Sequence, residues 1–226
     1  MLFSFSLFAG NWGFFPARNC LWQVSSPFAI MALETKYDRV PRRSETRRRT
    51  RWENQSERSE RTGIGIPHKA HETAAAEYLQ EHIRNGETSL HGDSGLDSAD
   101  SYDEWLERVS GALTLDVRSI IFFAIRKSDR KLVGTINVRH PYQGYVRIHG
   151  HIGYGVRPAE RRKGYATMML QAALAYCRTI GLDKVLLTCD KQNVASAKTI
   201  IKCAGIFEKE DRLSDGTLVQ RYWIAL

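Results

Sequence analysis

Apolar positions change their spacing several times along residues 63–226, and each change marks an element. His68–Arg84 is rich in Ala, Glu and Gln and closes on Asn85-Gly86, which predicts a helix with a glycine stop. Ser101-Tyr-Asp-Glu104 has the spacing of a capping box, and Trp105, Leu106 and Val109 supply the apolar face of a second helix. Ser119–Arg126 and Lys131–Arg139 are β-branched and aromatic runs around the turn Lys127–Arg130, which predicts a hairpin. Pro141–Gly144 interrupts, and His149–Val156 alternates small and large residues like a further strand. Ala166, Met169, Leu170, Ala173, Leu174 and Cys177 return to helical spacing, ended by Gly181. Lys184–Cys189 is a short, nearly all-apolar strand, Asn193–Cys203 a helix, and Ile206–Leu213 and Leu218–Ala225 two strands around Ser214-Asp215-Gly216. The sum is a mixed α/β domain over residues 63–226.

The first 62 residues follow neither period. Residues 1–33 carry one charged side chain, Arg18, among many aromatics. Three readings stand open for them: a short targeting segment, a mitochondrial presequence, or a non-native leader ahead of translation from Met31. Residues 36–62 are Arg-, Glu- and Ser-rich with almost no aliphatic side chains, so a disordered linker is expected. Arg47–Arg49 and Arg51 leave a nucleic-acid or nuclear-import role as the alternative.

Charge changes that picture only in part. The net charge is +8, but residues 1–62 hold 11 Lys/Arg against 6 Asp/Glu, and the body holds 22 against 19. The basic excess is therefore concentrated outside the domain, and nucleic acid is not its expected partner. The four cysteines show no C-x-x-C spacing, so neither a metal site nor a disulfide framework is indicated. No apolar run reaches the ~18 residues of a membrane span. A cytoplasmic protein is expected, with mitochondrial or nuclear addresses left open by the head.

The chemistry concentrates in Val156-Arg-Pro-Ala-Glu-Arg-Arg-Lys-Gly-Tyr-Ala-Thr167, where a strand gives way to a basic loop and then a helix. Amides at a helix start lack intrahelical partners and favour anions. Gly164 lets a phosphate approach the backbone, Ala166 keeps the next turn uncrowded, and Arg161, Arg162 and Lys163 add positive charge. No G-x-x-x-x-G-K-[ST] occurs, and Gly150, Gly153 and Gly155 sit within a strand rather than after one. A P-loop and a dinucleotide fingerprint are thereby set aside.

Arg161-x-x-Gly164-x-Ala166 resembles the acetyl-coenzyme A signature of the GNAT superfamily of N-acetyltransferases, and Asn193-x-x-Ser196 resembles the start of its second motif. Strand and helix order agree over about residues 115–226. The segments GHIGYGVRPAERRKGYATMML and CDKQNVASAKTI are similar to a bacterial and fungal branch in which likeness extends back to the SYDEWLE helix. The resemblance implies the acyl-CoA N-acyltransferase fold: a mixed, mostly antiparallel central sheet, splayed at its middle strands and flanked by helices. It implies acetyl-CoA as co-substrate, with pantetheine between the strands His149–Val156 and Lys184–Cys189. The pyrophosphate would rest on Arg161, Arg162, Lys163, Gly164, Tyr165, Ala166 and Thr167. Asn193 would bind the pantetheine arm or serve as a helix N-cap.

The same resemblance implies direct attack of an amine on the thioester in a ternary complex, with a backbone N–H near Val156 as oxyanion donor. His151 and His149 are the candidate bases, His151 favoured. Many members place a tyrosine seven residues after the asparagine, where this chain has Ile200, so Tyr154, Tyr222 or no residue would assist the leaving thiolate. A small-molecule or peptide amine is the expected acceptor, in a pocket built by the first two helices and the loops Gly86–Asp100 and Pro141–Arg147. A non-catalytic acyl-CoA-binding module is the alternative, and the oligomeric state is not legible.

Overall fold

The computed structural model describes residues 61–111 and 118–226. The expectations for a leader and a basic linker fall on residues outside that range, apart from Arg61 and Thr62. Strand β1 (Thr62–Gly65) was not expected: with two glycines in four residues it has no strand signature. It is held by pairing, Thr62 lying opposite Arg126 and Gly65 opposite Phe123.

A 3-10 turn over Lys69–His71 leads into α1 (Glu72–Arg84), which is capped at Asn85 and followed by Gly86 at φ 78°. Helix α2 (Tyr102–Gly111) starts as its sequence predicts: the Glu104 amide donates to Ser101 Oγ at 3.2 Å. Strands β2 (Arg118–Arg126) and β3 (Leu132–His140) form the expected antiparallel hairpin.

The segment after β3 departs from expectation. Gly144–His149 is a short helix, α3, and strand β4 is only Ile152–Val156. Gly150, at φ 80°, separates them. Six residues are too few for a helical period to show in a sequence. The rest follows the expected order: α4 (Tyr165–Thr179), β5 (Lys184–Asp190), α5 (Val194–Lys202), β6 (Ile206–Arg212) and β7 (Leu218–Ala225).

One sheet has the order β1-β2-β3-β4 and the other β5-β7-β6, antiparallel throughout. Among the described residues, an isolated bridge from Gly150 to Leu187 joins them. Each face of the larger sheet has its own core. Phe122, Ala124, Ile136, Val138 and Ile152 pack with Met169, Leu170 and Ala173 of α4. Ile121 and Phe123 pack with Tyr78 of α1 and Trp105 of α2. Successive side chains of β2 thus alternate between two apolar layers, which is why SIIFFAI reads as an unbroken apolar run. Among the described residues, no helix is long and apolar enough to cross a membrane.

Candidate active site

Strand β4 keeps its partner on one side and loses it on the other. Arg139 N–H donates to the His151 carbonyl at 2.7 Å and Arg157 N–H to the Val133 carbonyl at 2.9 Å. In an antiparallel ladder these bonds alternate, so the odd-numbered residues of β4 face β3. The amides of Tyr154 and Val156 therefore point the other way, into the gap that opens beyond the Gly150–Leu187 bridge. A cleft of about 2010 Å³ occupies that gap. An ordinary small-molecule pocket holds roughly 300–1,000 Å³, so there is room for two reactants.

At one end of the cleft the chain turns sharply into α4. Gly164 is the N-cap at φ 89°, and a Cβ there would meet nothing within 4 Å. The N–H groups of the first turn of α4 are thus approachable, and Gly164, Tyr165, Ala166 and Thr167 all line the cleft. The basic loop is less free than its composition suggests. Arg161 makes a bidentate pair with Glu87, both contacts at 2.7 Å, while its Nε donates to the Val156 carbonyl at 3.1 Å. That guanidinium holds the Glu87 carboxyl down at about 2. Lys163 Nζ lies 3.0 Å from Glu160 and outside the cleft lining. Arg162, at φ 64°, is exposed and lines the cleft, with no carboxylate within ion-pair distance among the described residues. Arg157 is buried, tied to Glu81 at 2.6 Å and to the carbonyls of Leu132 and Glu77, so it anchors the loop to α1.

On the far side of the gap, Asn193 caps α5 by accepting from the Ser196 amide at 3.0 Å. The hydroxyl of Tyr154 crosses from β4 to Ser196 Oγ, 2.9 Å away. Burial pushes the Tyr154 phenol up to about 12. It stays protonated and available as a donor at neutral pH. His149 ends α3 and faces the cleft, and burial followed by the charge of Arg139 lowers its pKa below 6.5, with Asp215 opposing.

A family model described as "Acetyltransferase (GNAT) domain" matches residues 67–205. The chain belongs to this family. It is an N-acetyltransferase of the GNAT type. Comparison with curated protein sequences gives no significant match. Among solved structures, a ribosomal-protein-S5-alanine acetyltransferase from Vibrio fischeri superposes with a TM-score of 0.59 at 13% identity, over 73% of this chain and 93% of that one. A Salmonella typhimurium chain described as an acetyltransferase, solved with its cofactor acetyl-CoA, gives 0.53 at 14% identity over 74% and 94%. Mutant forms of the spermidine/spermine N-acetyltransferase SpeG from Vibrio cholerae give 0.53 at 13% over 74% and 94%. These likenesses establish the shared fold, a mixed α/β domain with an antiparallel sheet and flanking helices.

Of the two candidate histidines, the structure keeps His151 away from the cleft. His151 is 2% exposed, its ring stacks on Tyr142, and its Nδ1 accepts from the Leu186 amide at 2.9 Å. With the Leu186 carbonyl accepting from the His151 amide at 2.7 Å, this histidine pins β4 to β5 where the sheets meet. Burial holds its pKa at about 4. His151→Ala is therefore expected to cost roughly 1–3 kcal/mol of stability through the unpaired Leu186 amide. The depressed pKa makes the native state lose stability as pH falls from 6.5 to about 4, since the unfolded chain then binds the proton more readily. Urea unfolding at pH 7 and pH 5 should show a smaller difference in the variant. An equal difference would mean that the ring does not titrate with folding.

Tyr222 is buried on β7 with its hydroxyl on Gln220 at 2.8 Å, outside the cleft. Ile200 is fully buried in the core around α4. Glu87, Asn137 and Arg139 also line the cleft but were not singled out from sequence. For Asn137 and Arg139 there was a signal: with Thr135 they form a polar face on an otherwise apolar strand.

Proposed function

We propose that the GNAT domain binds acetyl-CoA along the open edge of β4 and acetylates a primary amine presented from the α1–α2 side. The observation that carries this reading is the coincidence of unpaired β4 amides and an open glycine N-cap in one cleft. In this reading the domain begins at Thr62, where β1 joins the sheet.

Pantetheine would run along the exposed backbone edge of β4 at Tyr154 and pass near Asn193. The pyrophosphate would take the first-turn amides Tyr165, Ala166 and Thr167 beside Gly164, with Arg162 as the nearby unpaired cation. Arg161 and Lys163 hold the loop in shape through Glu87 and Glu160. The thioester supplies an activated acyl group. The chain's own tasks are to take a proton from the ammonium, stabilise the oxyanion and assist the leaving thiolate. We assign the first to His149, whose lowered pKa keeps it neutral at pH 7. The Val156 amide suits the second.

Tyr154 suits the third, in place of the tyrosine absent at Ile200. Tyr154→Phe should lower kcat by about tenfold or more and leave acetyl-CoA affinity nearly unchanged, as for a donor used mainly in the transition state. Steady-state kinetics and calorimetry together check this, and equal kcat would remove Tyr154 from the mechanism. The acceptors named for two similar structures are a protein alanine and spermidine or spermine, both amines. Calorimetric titration of acetyl-CoA, with ATP and NAD as controls, tests the reading as a whole. Selective saturable binding supports it, and a folded protein that fails to bind acetyl-CoA overturns it.

A further inference from the structure

Arg139 is a cation built into the cleft without a counter-ion. It lies on β3 opposite Ser119 of β2, its Nε is fully buried and has no hydrogen-bond partner, Nη2 reaches the His149 carbonyl at 3.5 Å, and the neutral Tyr145 side chain is its further hydrogen-bond partner. The guanidinium stands 5.2 Å from the centre of the Tyr145 ring. Among the described residues, no carboxylate lies within 4.0 Å of it, whereas the two buried arginines, Arg157 and Arg221, each meet a glutamate, Glu81 and Glu208. Removing a guanidinium from water is costly unless an anion replaces the lost solvation. Arg157 and Arg221 satisfy that rule within the chain and Arg139 does not.

Arg139 lines the cleft on the face shared with Asn137, Gly153 and the loop around Gly92. A Cβ at Gly153 would stand 3.2 Å from its Nη2 and 2.8 Å from Asn137 Oδ1, so the glycine leaves the guanidinium room against β4. Asn137 itself is committed, accepting from the Gly153 amide and donating to Ser94 Oγ. His149 is the immediate neighbour, close enough for Arg139 to depress its pKa.

We propose that the acceptor is an amine that carries a carboxylate, and that Arg139 binds this carboxylate beside His149. A planar guanidinium matches a carboxylate with two parallel hydrogen bonds. An α-amino acid carries its amine and carboxylate within one residue's length, and the Arg139 guanidinium reaches the His149 carbonyl at 3.5 Å. The inference rests on the acetyltransferase reading above and narrows its substrate class.

The test uses the full chain, acetyl-CoA, and acetyl transfer followed by thiol release. The acceptors are the α-amino acids, the corresponding amino-acid amides, and dipeptide amides that begin with Asp or Glu. The best amino acid should exceed its amide in kcat/KM by about tenfold or more, because a site built for a polar group rejects the analogue that lacks it. Preference instead for the acidic dipeptide amides over neutral ones would place the same carboxylate on a peptide side chain. Arg139→Gln should erase the preference by raising KM, with the acetyl-CoA Kd unchanged by calorimetry. Arg139→Lys, which keeps charge and most packing, should retain part of it. Amides used as well as acids, or no turnover of any acceptor by a protein that binds acetyl-CoA, would overturn the inference alone. Failure to bind acetyl-CoA would overturn the underlying reading, and the inference with it.

Discussion

Gly164→Glu is expected to weaken acetyl-CoA binding by about a hundredfold or more, equivalent to ~2.7 kcal/mol, while the fold survives. Two features of the residue separate these effects. Its φ of 89° is a left-handed conformation, which costs an L side chain roughly 1–2 kcal/mol. A Cβ at this point would meet nothing within 4 Å, so no clash adds to that strain. The remaining loss comes from charge. Two like charges 4 Å apart at an effective dielectric of 20 repel by about 4 kcal/mol, more than a hundredfold loss requires. Gly164→Ala carries the strain without the charge and should fall between the two. Calorimetry with a thermal melt of each variant measures both quantities. Retained affinity in a folded Gly164→Glu protein would remove the start of α4 from the cofactor site.

His149→Ala is expected to lower kcat by roughly 10²–10⁴-fold, the usual contribution of a positioned base, with acetyl-CoA affinity little changed. The pH dependence makes the assignment specific. A base acts when unprotonated, so activity falls as pH drops through its pKa. Burial and then Arg139 lower that pKa, which shifts the acid limb below that of an ordinary histidine. The variant should lose this limb along with most of its rate. An acid limb that persists unchanged in His149→Ala would assign the proton transfer to another group.

These two residues differ in how far the sequence revealed them. Gly164 was legible because a short motif, Arg161-x-x-Gly164-x-Ala166, lies at a strand-to-helix junction whose physics is local. His149 and His151 were legible only as a pair, on a strand read as running from His149 to Val156. The helix Gly144–His149 breaks that strand. It turns one histidine to the cleft and leaves the other in the sheet junction, where Leu186 uses its lone pair. Strand β1 escaped detection for a related reason, since its order comes from pairing with β2 and not from its own side chains.

The sequence by itself determined the period of each long element, the hairpin of β2 and β3, the strand-to-helix turn at Gly164 and, through its motifs, the family. All of these depend on neighbours within a turn or a strand. Only the tertiary structure decided which charges are free to act. Arg161 is held by Glu87, 74 positions away in the chain, and Arg157 by Glu81, 76 away, so two cations of the basic segment serve the loop's architecture. Arg139 met no such partner and stands uncompensated in the cleft. Composition counts a charge wherever it occurs, but its chemistry depends on what folding brings within a few ångströms, and that pairing is a property of the assembled chain.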